Sequence, residues 1–386
     1  MIERKIKTLL IQSVAKYPVT VITGPINSEK SKLVRETFDY TYITLSDLHS
    51  RTLAVNDPVA FMHQHYYLTG SLIIDDIHLA PELVSHLNKA VLERPLPGSF
   101  ILLSARNHLA GLIAEHTQHH TLLPPSLSEI DNLEQSVEEA IFFGSYRNAE
   151  GALPDRSWHT AYLQRFFERE LPRQLRLTRP ESFITFTQQC AGAIGEVVNH
   201  SRLGDNCGVS HNTARLWLKL LVDNYLVFLL EPHQEGYGKR MVKTPKLYFY
   251  DTGLACALLG VQTPTELISH YHRGPLFESL IISDLIKERH NEAQDVEHSF
   301  WRDKLGNEVD LLVDESCENG RLLRPVEIKP GKTISASNFD GLIRWNKLSG
   351  SDASKGTIIY AGDDEFDHPM GNIISWRHRT GIVAAG

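Results

Sequence analysis

The sequence predicts an α/β chain of three units, and three observations predict it. A β-branched run, Val19 to Thr23, enters the loop Gly24-Pro25-Ile26-Asn27-Ser28-Glu29-Lys30-Ser31 and continues into a helical stretch. A second strand candidate, Ser71 to Ile77, runs apolar into Asp75 and Asp76 about 45 residues after Lys30. Near the C-terminus, two short alternating runs carry Asp310 on one side and Glu327 and Lys329 on the other.

At 386 residues the chain is long enough for two or three cores, and 42% apolar against 22% charged residues excludes wholesale disorder. The net charge of −8 gives no global attraction to nucleic acid or to an anionic membrane. A DNA contact therefore has to come from a local basic patch. The four cysteines are widely spaced and form no C-x-x-C pair, which points away from zinc ribbons and disulfide frameworks and toward a cytoplasmic location. No stretch reaches the roughly 18 apolar residues of a membrane span, so no membrane partner is expected.

In the first unit, residues 1–135, strand, loop and helix follow each other in the order of a phosphate-binding P-loop. The backbone N–H groups of such a loop cradle phosphates, its lysine reaches the β- and γ-phosphates, and its hydroxyl holds Mg²⁺. Gly24, Lys30 and Ser31 fit those roles, with Asp75 as the acid that holds Mg²⁺ through water and Asp76 as the acid that polarises the attacking water. Glu29 does not fit. It stands where glycine is expected and puts a carboxylate beside a site built for anions. Further buried strands are expected at Ile43 to Leu45 and Ser99 to Leu103.

Residues 129–139 hold five acids and no base, and mark the passage to a helical connector over 136–180. There Arg165, Arg169 and Arg173 recur at i, i+4 spacing, read first as a solvated face, with Pro172 ending or kinking the helix. Within 181–260, residues 201–221 read as a helix-turn-helix with Ser210 capping the second helix, followed by wing strands at Val227 to Leu230 and Leu247 to Tyr250. That geometry offers His211, Asn212, Thr213 and Arg215 to DNA. Lys239, Arg240, Lys243 and Lys246 fall in the expected wing, and the window 201–250 carries seven bases against four acids, a local charge of 7 − 4 = +3.

In the last unit, 261–386, Glu308 and Asp310 share one strand face, and a polar turn at 315–320 leads back to Glu327 and Lys329. A normal hairpin makes Asp310, Glu327 and Lys329 converge, two carboxylates for a divalent cation and an ammonium for water or a phosphate. Glu278, on the helical run 277–287, adds a further metal ligand to Asp310 and Glu327. Trp301 and Trp345 are expected in the core.

The motifs V-I-T-G-P-I-N-S-E-K-S (Val21 to Ser31), L-I-I-D-D-I-H-L-A-P-E-L (Leu72 to Leu83), K-R-M-V-K-T-P-K-L-Y-F-Y-D-T-G-L-A-C (Lys239 to Cys256), G-P-L-F-E (Gly274 to Glu278), W-R-D-K-L-G-N-E-V-D (Trp301 to Asp310) and V-E-I-K-P-G (Val326 to Gly331) resemble a prokaryotic family. In that family an AAA-type P-loop ATPase domain precedes a C-terminal domain of unknown function with a restriction-endonuclease-like core. The resemblance implies ATP and Mg²⁺ as cofactors and assigns Asp310, Glu327 and Lys329 to a nuclease-like centre. The chain departs from the pattern at Glu29, Asp76, Leu103-Ser104-Ala105 and His116, all at nucleotide-facing positions. These departures imply weak nucleotide binding and impaired hydrolysis on a retained fold. The leading expectation is a nucleotide-binding, DNA-associated protein, an ATPase by family or a metal-dependent nuclease. The alternatives are a non-catalytic regulatory or assembly protein, forming homo-oligomers or binding protein partners, and a working ATPase that tolerates the changes.

Overall fold

The computed structural model describes the chain except residues 1, 108, 110, 131–133, 148–150, 172–179, 234–241, 295–297, 315–322, 351–355 and 379–386. Pro172, Arg173, Lys239, Arg240 and the 315–320 turn therefore lie outside the described residues.

The N-terminal part runs α1 (Lys7–Lys16), β1 (Val19–Thr23), α2 (Lys30–Thr37), β2 (Thr41–Thr44), α3 (Leu48–Asn56), α4 (Pro58–His65), β3 (Leu72–Asp75), α5 (Leu83–Glu93), β4 (Phe100–Ser104) and β5 (Thr117–Thr121). Its five strands are all parallel and ordered β2-β3-β4-β1-β5. Strand residues alternate between the two faces. Val21, Ile74 and Leu102 pack under α3 to α5, with Phe61, Leu83 and Leu87, whereas Ile22, Ile73 and Ile101 pack under α1 and α2, with Leu10, Leu33 and Val34. A doubly covered parallel sheet carries its loops at the C-terminal ends of the strands, which is where Gly24 to Ser31 and Asp75 lie.

The chain continues through α6 (Val137–Phe143), α7 (Arg156–Arg165), a π-helical turn at Phe166–Glu170, α8 (Pro180–Gly192), α9 (His200–Asp205) and α10 (His211–Asp223). Strands β6 (Val227–Pro232) and β7 (Lys246–Phe249) follow, then α11 (Thr252–Leu259) and the long α12 (Arg273–Asn291). The C-terminal part adds β8 (His298–Arg302), β9 (Glu308–Asp314), β10 (Leu323–Lys329), α13 (Asp340–Ser349), β11 (Thr357–Tyr360) and β12 (Asn372–Ser375).

The wing expectation needs correction. β6 and β7 form an antiparallel pair, but β6 also pairs in parallel with β8 through Glu231 and Pro232. Both strands thus belong to one seven-stranded mixed sheet, ordered β12-β11-β10-β9-β8-β6-β7. The physical reason is backbone satisfaction: β8 needs a second neighbour, and the pair supplies it. Packing agrees, because one continuous core runs from Leu123 through Phe183, Trp217 and Tyr248 to Phe277, Val326 and Trp376. Trp301 and Trp345 are buried together with Leu312 in a small cluster on the α13 side, as the sequence led us to expect.

Candidate functional sites

The loop between β1 and α2 has P-loop geometry. Gly24 has a φ of 151°, and a Cβ there would stand 2.0 Å from the Leu122 carbonyl oxygen, so no other residue fits without moving the backbone. The Lys30 ammonium folds over the loop and donates to the carbonyls of Gly24 at 2.8 Å and Pro25 at 2.7 Å. Burial lowers its pKa to about 8, although Asp75 and Asp76 pull the other way. Ser31 donates through Oγ to Asp75 Oδ2, which also accepts from the Tyr42 hydroxyl at 2.6 Å. Burial first, then Asp75, raises the Tyr42 pKa, so that phenol stays a donor. Tyr42 carries no motif and was not foreseen.

Glu29 adopts the left-handed conformation, φ 66°, that a glycine would take without strain. Its carboxylate turns aside to Lys32, 3.6 Å away. Asp76 is left-handed as well, φ 58°, and its amide donates to Asp75 Oδ1 at 2.8 Å. Lys30, Ser31, Asp75 and Asp76 line a cavity of about 450 Å³ that Arg147, Trp158 and Arg165 also line. Arg165 lines this cavity while staying exposed, and Arg169 is exposed as well, in keeping with a solvated face.

The loop is braced from both flanks. Arg4, itself buried, donates to the Ser28 carbonyl at 3.2 Å, the Leu123 carbonyl at 2.8 Å and Glu129 Oε1 at 3.1 Å. The same segment holds α12, since Leu127 N donates to Asp284 Oδ1 at 2.6 Å and Lys5 Nζ to Glu288 Oε2 at 2.9 Å. Tyr225, after α10, donates to Thr23 Oγ1 at 2.6 Å.

The C-terminal acids converge, in an arrangement different from the expected one. The β9–β10 register pairs Leu311 with Val326, and one step further Asp310 faces Glu327. Asp310 Oδ2 accepts from the Ile328 amide at 2.8 Å, and the Lys329 ammonium lies 2.5 Å from Glu327 Oε2 and 3.8 Å from Asp310 Oδ2. Among the described residues, the set whose oxygens lie within 4.8 Å of one another is Glu278, Glu308 and Asp310. Glu308 takes the place expected for Glu327. Glu327 turns its other oxygen, buried and unpartnered, toward Gly341 at the start of α13, where a Cβ would stand 1.8 Å from it. Burial, reinforced by the Asp310 charge and opposed by Lys329, pushes the Glu327 carboxyl well above the ordinary range.

Lys246, expected in a wing, is buried at the start of β7 and donates to Glu278 Oε1 at 3.2 Å while contacting Glu308 Oε1. The Tyr248 hydroxyl also donates to Glu278 Oε1. Lys246, Glu278 and Glu308, with Asn307, Asp340 and Arg344, line a cavity of about 340 Å³. Sequence reasoning missed Lys246 and Tyr248 as site residues. The signal was the strand pattern Lys246-Leu247-Tyr248, which puts both polar groups on one face.

In the helix pair, Ser210 Oγ accepts from the Thr213 amide at 3.1 Å and caps α10. His211, Asn212 and Arg215 are exposed on the first turns of α10, and Thr213 is half-buried. Ala214, Trp217, Leu218 and Leu221 point inward. Among the described residues no helix is long and apolar enough to cross a membrane.

Two family models match, each a domain of unknown function: DUF8612 over residues 134–265 and DUF4143 over 273–378. Uncharacterized proteins of Mycobacterium tuberculosis and Mycobacterium bovis are each 26% identical over 375 residues, covering 92% of this chain and 79% of theirs. Among solved structures, the chain is similar to a Walker-type ATPase of Pyrococcus abyssi at 14% identity and a TM-score of 0.42, covering 67% of this chain and 96% of that one. It is also similar to AMPPCP-bound DnaA from Aquifex aeolicus at 13% identity and a TM-score of 0.27, covering 56% of this chain and 85% of that one.

Proposed function

We propose that this chain is a P-loop nucleotide-binding protein with impaired hydrolysis that associates with DNA through the exposed face of α10. The observation that carries the nucleotide reading is Lys30: among the described residues its ammonium is buried against neutral oxygens, beside a cavity that Arg147 and Arg165 also line. A desolvated cation without a bonded anion favours a phosphate as its counter-charge. In the nucleotide complex Ser31 and Asp75 would hold Mg²⁺, as they present hard oxygen donors that already touch. Bound Mg²⁺ would neutralise phosphate charge.

Impaired hydrolysis is supported by Asp76 in place of a longer acid. Positioning of an attacking water is sensitive to about an ångström. Association with DNA is supported by His211, Asn212 and Arg215 at the exposed N-terminal end of a capped helix.

Labelled ATP titrated into the full chain with Mg²⁺ should bind, with slow turnover, and Lys30→Ala should weaken binding by roughly 10- to 150-fold. No binding, or fast turnover that Lys30→Ala abolishes, overturns the reading. A salt-insensitive or absent gel shift with duplex DNA overturns its DNA part.

A further inference from the structure

The acids of the C-terminal centre invite a divalent ion, and the structure argues against one. Mg²⁺ takes near-octahedral oxygen ligands at about 2.0–2.1 Å and tolerates little else at its position. Glu278, Glu308 and Asp310 offer three such oxygens, yet a buried ammonium already lies among them. The Lys246 side chain is only 4% exposed. It is packed over the Phe300 ring, 5.4 Å from the centroid, and the Tyr248 hydroxyl on Glu278 closes the cluster from the same strand. Lys329 supplies a second positive charge beside Asp310 and Glu327. A divalent ion entering here would meet two ammonium groups and would have to displace the first from its carboxylates.

We infer that Lys246 is the resident cation of this centre: its ammonium, held between Glu278 and Glu308, stands where a divalent ion would have to sit, and the centre takes up a divalent ion only when residue 246 loses its charge. The donor set as folded therefore does not fit Mg²⁺. The inference rests on the C-terminal geometry alone and is independent of the nucleotide reading.

The test is Mn²⁺ titration of the full chain without nucleotide, followed by the electron-spin signal of free Mn²⁺ and by the melting temperature. The wild type should show no Mn²⁺ site that Asp310→Asn removes. Lys246→Met should gain one site at least tenfold tighter than any in the wild type, with a melting temperature that rises with Mn²⁺, and adding Glu308→Gln should abolish both effects. Lys329→Met, which keeps Lys246, should gain nothing. A wild-type site lost in Asp310→Asn overturns the inference, as does a folded Lys246→Met chain without the gain. Should Lys246→Met fail to fold, Lys246→Gln and the comparison of wild type with Asp310→Asn decide.

Discussion

Two buried lysines beside carboxylates sit in two different electrostatic states. Lys30 donates to backbone carbonyls, and burial drives its pKa down to about 8. For Lys246 burial acts in the same direction, but the charges of Glu278, Glu308 and Asp310 outweigh it and hold its pKa above the ordinary lysine value. Burial alone therefore does not decide what a lysine is for. The partner does: neutral oxygens leave a cation that seeks an anion, and carboxylates leave one that is already satisfied.

Removing each charge separates the two cases most sharply. Lys246→Met strands buried carboxylates and should cost about 3–5 kcal/mol in urea unfolding, whereas Lys30→Met should leave stability unchanged or raise it. Equal losses for both would erase the distinction.

The second effect is in pH. Phosphate prefers protonated Lys30, so nucleotide affinity should be full below pH 8 and fall as pH rises through about 8, by up to roughly tenfold per pH unit. The sign follows from linkage: the bound form raises the lysine pKa again and so takes up a proton. Calorimetry near pH 8 in buffers of different ionisation enthalpy should show that uptake. Affinity constant to about pH 10, the ordinary lysine range, would show that Lys30 is not a phosphate contact with a lowered pKa.

Glu29→Gly tests the loop more gently. It releases a left-handed glutamate and should raise stability by about 1 kcal/mol, while tightening nucleotide binding by removing a carboxylate near the phosphates. The smallest effect is expected at Ser210→Ala, which removes the α10 cap and should cost roughly 0.5–1 kcal/mol with a weaker gel shift and an unchanged nucleotide affinity.

Much of the first sheet was legible because its strands are short apolar runs that meet punctuated loops: Val19 to Thr23 forms as expected, and the run expected over Ser71 to Ile77 forms its strand at Leu72 to Asp75. β5 was not legible, since Thr117-Gln118-His119-His120-Thr121 has no apolar signal and forms by pairing with β1 at the sheet edge. At the acid centre, Glu278, Asp310, Glu327 and Lys329 are gathered at one cavity as the hairpin argument expected. Glu308 displaced Glu327 from the metal-like set because Glu327 is turned toward Gly341 of α13, across a loop that carries no signal of the contact. Lys246 read as one of a run of wing lysines, and its partners lie 32 and 62 residues further along the chain. No local pattern announces an ion pair of that span.

The parallel junction between β6 and β8 sets where this protein can be cut. The matched domains end at residue 265 and begin at 273, yet the sheet crosses that gap. A fragment beginning after residue 260 would leave β8 as a bare edge, ready to pair with another copy, and would leave Glu278 and Glu308 without their lysine. The smallest self-sufficient C-terminal piece therefore begins upstream of Val227, and a shorter one should aggregate on expression.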